Sequence, residues 1–121
     1  MAPVDSAESK VREVVQAYVD ATRHCDADGM RGVFHPRAAM NGFLGEQAMI
    51  GSPEPFFDAL ASQGGPQPGY RAVIEAVEVN GRTATATLCE DGCLGASFVN
   101  HFHLVELDSG WCIVAKLFET T

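Results

Sequence analysis

Residues 98–118 read FVNHFHLVELDSGWCIVAKLF, and this stretch decides the fold. Aromatic and β-branched residues are frequent on both sides of Asp108-Ser109-Gly110, a tripeptide typical of turns. The pattern predicts two long neighbouring strands joined by a tight turn. Side chains alternate between the two faces of a strand, so Asn100 and Phe102 share one face of the first strand.

Two more strands are predicted upstream of this pair. Residues 70–79 and 82–89 have the apolar alternation of strands, and Asn80-Gly81 between them is a strong hairpin signal. Glu90-Asp91-Gly92 has the composition of a second turn, which predicts that the following strand spans residues 94–107. The second half of the chain therefore predicts an antiparallel meander.

The first half begins with a strong helix signal. Asp5 and Glu8 have the spacing of a capping box, in which each side chain bonds a backbone N–H of the first turn. The residues that follow are spaced as on one face of an α-helix: Val11, Val14, Val15, Tyr18, Val19 and Thr22.

Two shorter helices and two short strands complete the first half. Residues 26–34 predict a turn and a short helix, and Ser52-Pro53 predicts the start of a third helix because serine caps helices and proline fits the first helical position. Strands are predicted at 38–43 and 47–51. Helices followed by meandering strands indicate an α+β fold, with one domain spanning residues 1–121.

Composition narrows the classes of partner. The formal net charge is −8, and the chain has no cluster of lysine and arginine, so neither nucleic acid nor an anionic membrane is a predicted partner. The N-terminus lacks the pattern of a signal peptide, and we expect a cytoplasmic protein. We predict reduced, packed thiols at the four cysteines, which are Cys25, Cys89, Cys93 and Cys112. No cofactor is indicated.

The order of elements resembles the cone-shaped fold of the nuclear-transport-factor-2-like superfamily. Residues 18–40, YVDATRHCDADGMRGVFHPRAAM, are similar to the amino-terminal pattern of its small bacterial members, and residues 98–118 are similar to their carboxy-terminal pattern. Among these, the chain resembles most the subgroup described as "putative lumazine-binding" proteins. The resemblance implies three N-terminal helices packed on a strongly bent, mixed or antiparallel sheet.

The ketosteroid isomerases are a more distant resemblance within the same superfamily. In those enzymes a tyrosine of the first helix and a protonated aspartate of a later strand donate hydrogen bonds to the enolate. The resemblance places Tyr18, in VVQAY, and Asn100, in VNHF, at the two positions. Asn41-Gly42 stand where the isomerases have their basic aspartate. Because a carboxamide accepts no proton at neutral pH, the resemblance implies an oxyanion hole without its base.

These residues lead to a binding hypothesis with no complete catalytic set. We predict that a conical pocket binds a small apolar or aromatic molecule, with Tyr18, Asn100 and Lys116 as its polar contacts. The predicted apolar wall is formed by Phe34, Met40, Phe56, Phe57, Phe102 and Phe118. An enzyme of isomerase, dehydratase or cyclase type is the first alternative, with Glu75 or a histidine as the base. A structural dimerisation module is the second.

The histidines of the opening stretch are predicted to have a different role. His101 and His103 lie on the strand face opposite the pocket, and the superfamily resemblance implies that this outer face packs against a second subunit. We therefore predict a homodimer interface that includes His101, His103 and Thr85. A zinc site formed by the two histidines with Cys89 and Cys93 is an alternative, but the spacing matches no common zinc motif, and no metal is predicted.

Overall fold

The computed structural model describes residues 6–121. Within that range the chain forms three helices, α1 (Ala7–His24), α2 (Ala27–Val33) and α3 (Glu54–Ala61). It also forms six strands, in chain order β1 (Phe34–Leu44), β2 (Gln47–Gly51), β3 (Arg71–Asn80), β4 (Thr83–Cys93), β5 (Ala96–Leu107) and β6 (Gly110–Thr120). None of the described helices is both long and apolar enough to cross a bilayer.

The six strands form a single mixed sheet in the order β2-β1-β6-β5-β4-β3. The β1–β6 pair is parallel, and the other neighbouring pairs are antiparallel. The helices pack against one face, where the buried side chains of the sheet converge with those of α1 and α3. The predicted α+β cone fold is thus confirmed, and the predicted strand at residues 38–43 is longer than expected because it begins at Phe34.

Helix α1 is amphipathic as its sequence predicts. Its buried face includes Val11, Val15, Tyr18, Val19 and Thr22. The structure caps the helix with Ser6, whose hydroxyl accepts a hydrogen bond from the Ser9 N–H at 3.1 Å. Asp5, which the sequence predicts as the cap, lies outside the described residues.

The β3–β4 hairpin and the start of α3 agree with the sequence to within one residue. Asn80 pairs with Thr83, so the hairpin loop is Gly81-Arg82, and of the predicted pair only Gly81 has a positive φ, 63°. At α3 the capping position is Pro53 rather than Ser52, although the Ser52 hydroxyl accepts from the Glu54 N–H at 3.3 Å.

The predicted turn at residues 90–92 is wrong. Strand β4 continues through Cys93, and the chain turns at Leu94-Gly95, whose φ angles are 52° and 86°. The pairing with β5 shifts between Glu90 and Cys93, so the polar segment is an irregularity within the strand. Glu90 lies before this irregularity and continues the buried alternation of Ala84, Ala86 and Leu88, and it is only 2% exposed. Leucine is disfavoured at positive φ, which is why the sequence gives no signal for the real turn.

A bulge in β6 sets the face on which the last strand presents its side chains. His103 pairs with Ala115 whereas Leu104 pairs with Ile113, so Val114 is the extra residue. The alternation therefore changes at this point, and Ile113 and Lys116 are both buried. The sequence alone assigns Val114 to the face of Lys116, which the bulge prevents.

Candidate functional site

A cavity of about 220 Å³ opens between α3, the β1–β2 pair, the end of β4, the start of β5 and the end of β6. Its wall is formed almost entirely by apolar groups, with Lys116 as the only charged side chain among the described residues that line it. The lining residues are Met40, Leu44, Met49, Ile50, Gly51, Ser52, Pro55, Phe56, Ala59, Cys93, Leu94, Phe98, Lys116 and Phe118.

Lys116 is buried, with 4% of its surface exposed. Its Nζ donates a hydrogen bond to the Tyr18 hydroxyl at 2.6 Å and lies 4.1 Å from the centroid of the Phe56 ring. Burial lowers the pKa of this amine, and the negative charge of Glu90 partly opposes the shift. The cavity therefore presents an amine that is held in place and poorly solvated.

Tyr18 lies behind Lys116 and does not line the cavity. Its ring is fully buried, in edge contact with Phe102 at a centroid distance of 4.8 Å and stacked on Phe56 at 6.1 Å. Burial raises the pKa of the phenol well above its ordinary value, and Glu90 raises it further. Tyr18 is therefore a neutral hydroxyl at physiological pH, fixed by the aromatic core.

Glu90 is the centre of a second group of buried polar side chains, together with Tyr70 and Asn100, and the sequence analysis did not predict it. The Tyr70 hydroxyl donates to Glu90 Oε2 at 2.5 Å, and Asn100 Nδ2 donates to Glu90 Oε1 at 2.5 Å. Asn100 Nδ2 also lies 3.4 Å from the Leu88 carbonyl, while Asn100 Oδ1 is buried without a hydrogen-bond partner. The predicted pocket residue Asn100 is therefore engaged mainly with a carboxylate in the core.

Thr22 connects the two polar groups. Its hydroxyl donates to the Tyr18 carbonyl at 2.9 Å, and hydrogen bonding to it lowers the pKa of both the Tyr18 and Tyr70 phenols against the larger effect of burial. Among the described residues, Glu90 and Lys116 form no ion pair within 4 Å, yet the charge of Glu90 shifts the pKa of Lys116. The carboxylate and the amine are thus coupled through the core rather than paired.

Gln67 ties the end of α1 to the cavity wall. Its side chain donates to the Thr22 carbonyl at 2.7 Å and accepts from the Leu94 N–H at 2.7 Å, and its backbone N–H donates to the Arg23 carbonyl at 2.8 Å. The 64–69 loop is therefore attached to both layers of the fold by a single residue.

The predicted pocket residues divide between the cavity wall and the buried core. Met40, Phe56 and Phe118 line the cavity together with Lys116. The others are buried away from it and fill the inside of the cone: Phe34, Phe57, Phe102, Tyr18 and Asn100. Sequence reasoning missed the part of the wall that comes from β2, the β4–β5 turn and the start of β5, which includes Met49, Ile50, Leu94 and Phe98.

Neither the position of the isomerase base, Asn41-Gly42, nor the alternative base, Glu75, lines the cavity. Asn41 accepts a hydrogen bond from the Gly51 N–H at 3.0 Å and so holds β1 to β2. A Cβ on Gly42 would lie 2.0 Å from the Phe118 carbonyl oxygen, so the neighbouring strand needs glycine there. Glu75 lies at the irregularity of β3 and is exposed, which corrects the alternative that it is an inward carboxylate.

The histidines lie on the outer face of the sheet, as strand alternation predicts. His101 and His103 are exposed while Asn100 is buried, and Thr87 Oγ1 lies 3.3 Å from His101 Nδ1. Cys93 is buried on the opposite face, so the Cys2His2 set does not converge. Within residues 6–121, no group of three or more histidine, cysteine, aspartate or glutamate side chains is arranged to hold a metal ion.

Comparison with known proteins assigns the family. Residues 6–119 match the sequence profile of a family described as "putative lumazine-binding". The chain belongs to this family. The predicted resemblance to the lumazine-binding subgroup is thereby confirmed, and the family and fold support small-molecule binding at a coarse level. None of the curated proteins compared matches the chain.

Solved structures agree with this family fold. An NTF2-like protein of unknown function from Shewanella baltica is 25% identical, with a TM-score of 0.85 over 93% of this chain and 91% of that one. A second, from Methylobacillus flagellatus, is 24% identical with a TM-score of 0.85, covering 100% and 99%. A ketosteroid isomerase-like protein from Erwinia carotovora atroseptica is 15% identical with a TM-score of 0.71, covering 96% and 97%.

Proposed function

We propose that the protein binds a small, largely apolar molecule in the cavity beneath α3, with the polar end of the ligand at Lys116. The observation that carries this proposal is a single buried amine in a wall that is otherwise almost wholly apolar. Ligand sites have this composition, because apolar contacts supply affinity and a few polar groups fix orientation.

The size of the cavity limits the ligand. About 220 Å³ lies between the roughly 150 Å³ of an engineered cavity that accepts benzene and the roughly 300 Å³ of the smallest pockets for drug-sized ligands. A compound with one aromatic ring and a short substituent fits this range. The aromatic side chains of Phe56, Phe98 and Phe118 would contact such a ring.

A thermal-shift screen of monocyclic aromatic compounds tests the proposal. A ligand at 100 times its dissociation constant stabilises the fold by about 2.7 kcal/mol, which corresponds to roughly 10 °C for a chain of this length. Ala59→Phe should abolish the shift, because Ala59 lines the cavity. The matched control is Ala61→Phe, at an exposed position of the same helix, which should keep it. A shift that survives Ala59→Phe would place binding elsewhere.

The described cavity wall does not favour a proton-transferring enzyme. It contains no carboxylate and no imidazole among residues 6–121, and its titratable groups are Lys116 and Cys93. Burial raises the pKa of the Cys93 thiol to about 12, so a thiolate base is absent at neutral pH. Glu90 is buried behind the wall, with both oxygens occupied. A general base must reach the substrate proton directly or through one water.

We also propose that the protein is a homodimer through the outer face of its sheet. Thr85, His101 and His103 are exposed there, and Leu117, which pairs with His101, is 56% exposed. Such a surface in the middle of a sheet supports association with a second copy. A screen in which no compound stabilises the fold, with the dimer intact, would favour a structural dimerisation module instead.

A further inference from the structure

The two lysines of the chain occupy opposite environments. Lys10 lies on the exposed face of α1, whereas Lys116 is buried at the cavity wall. In Lys116, Nζ is held between the Tyr18 hydroxyl at 2.6 Å and the face of the Phe56 ring at 4.1 Å. A desolvated amine in an apolar site is the arrangement by which lysine acts as a nucleophile towards carbonyl compounds.

We infer that Lys116 forms a reversible imine with a small apolar aldehyde or ketone bound in the cavity. The inference rests on the proposed function, since it names the chemical class of the ligand of that site. It adds a covalent bond and assigns a separate role to Tyr18.

The charges around the site favour a neutral carbonyl over an anionic ligand. Glu90 carries no partner charge within 4 Å among the described residues, and its two hydrogen-bond donors, Tyr70 and Asn100, are neutral. After burial, its negative charge is the next cause of the raised pKa of Tyr18 and of Cys93, and Cys93 lines the cavity. A carboxylate ligand would be repelled by this charge, whereas an uncharged aldehyde or ketone would not.

The amine itself is suited to the reaction. Imine formation requires the unprotonated form, and burial lowers the pKa of Lys116 from its ordinary value.

The reaction balances without an oxidant or reductant. The lone pair of Lys116 Nζ attacks the carbonyl carbon, and one proton of Nζ passes to the carbonyl oxygen, which gives a neutral carbinolamine. The carbinolamine hydroxyl then leaves as water together with the remaining Nζ proton, and the C=N bond forms. The Tyr18 hydroxyl orients Nζ through their hydrogen bond and is not consumed. The net products are one imine and one water.

Reductive trapping with benzaldehyde and sodium cyanoborohydride tests the inference, with Lys10 as a control in the same molecule. Peptide mapping should find the benzyl group on Lys116, at a rate that saturates with benzaldehyde and is at least about tenfold above that of Lys10. Benzyl alcohol, which has no carbonyl, should inhibit competitively. Lys116→Arg and Ala59→Phe should remove the rapid label, and Ala61→Phe should keep it. Tyr18→Phe should lower the rate of trapping and leave the affinity for benzyl alcohol unchanged. A purely structural role of Tyr18 would change both quantities.

The possible results separate the inference from the proposed function. If benzyl alcohol and benzaldehyde stabilise the fold equally and Lys116 is labelled no faster than Lys10, imine formation is wrong and the binding function stands. If benzoate binds more tightly than benzaldehyde and Lys116→Met abolishes that binding, the ligand is an anion and the inference is also overturned. If none of the three compounds stabilises the fold and Lys116 is not labelled, both proposals fail.

Discussion

Replacing Tyr70 by phenylalanine should destabilise the protein more than a typical loss of one hydroxyl. The Tyr70 hydroxyl is one of two donors to the Glu90 carboxylate, and both residues are nearly inaccessible to water. Removing it leaves a buried carboxylate oxygen without its donor, while the ring and its contact with the Arg23 guanidinium at 5.5 Å can remain.

The expected magnitude follows from the charge on the acceptor. A hydrogen bond to a charged group contributes about 1.5–3 kcal/mol, against about 0.5–1.5 kcal/mol for a neutral pair. The entropy of unfolding of a chain of this length is about 250 cal/mol/K near its midpoint, so Tyr70→Phe should lower Tm by roughly 6–12 °C. Thermal and urea unfolding followed by circular dichroism measure this directly.

The chain supplies a matched control, because Tyr18 is its only other tyrosine. Tyr18→Phe removes an equally buried hydroxyl, but that hydroxyl accepts from Lys116, an amine whose lowered pKa lets it give up its charge. Its loss should therefore cost only about 1 kcal/mol. If Tyr70→Phe lies within about 0.5 kcal/mol of the wild type, or costs less than Tyr18→Phe, Glu90 does not depend on Tyr70 and the reasoning fails.

Three further predictions concern packing, pH and assembly. Gly42→Ala should cost about 3 kcal/mol in urea unfolding, because its Cβ would meet the Phe118 carbonyl, whereas Gly32→Ala has open space in α2 and should stabilise by about 0.5–1 kcal/mol; equal effects would contradict the close approach. Cys93 has a pKa raised from 9.0 to about 12 in the folded state, so its contribution is complete below pH 9 and is lost as pH rises towards 12. Cys93→Val should therefore gain about 2 kcal/mol relative to the wild type between pH 9 and 10.5, and a constant difference would refute the shift. Leu117→Glu on the outer sheet face should give monomers by sedimentation that keep the circular dichroism spectrum of the fold, and an unchanged assembly would rule out this interface.

The fold was largely predictable from local pattern. The periodicity of α1 and the alternation of β5 assign buried and exposed faces correctly, since each depends on only one repeating geometry. The failure at residues 90–92 has a specific cause. Gly92 does have a positive φ, 71°, but it serves a bulge where a Cβ would lie 2.7 Å from the Gly69 carbonyl. Composition cannot distinguish a bulge from a turn when both need the same glycine.

The site was less predictable than the fold. Alternation tells which large side chains point inward, but it does not tell which of them pack on one another and which leave a space. The rings of Phe34 and Phe57 contact each other edge to face, with their centroids 5.4 Å apart, and fill the core. The cavity therefore opens next to β2 and the β4–β5 turn. The inward direction of Glu90 was missed because the predicted strand ends at Cys89 and Glu90 is assigned to a turn, although Glu90 continues the buried alternation of Ala84, Ala86 and Leu88.

Gln67 has a consequence for the speed of exchange rather than for the strength of binding. Leu94 forms part of the cavity wall, and its N–H is held by the Gln67 side chain, which is itself attached to the end of α1. Opening that wall requires these bonds to break together, so the lifetime of a bound molecule depends on a residue that does not touch it. Shortening this side chain, as in Gln67→Ala, should release the ligand faster and admit it faster, with less change in the ratio of the two rates.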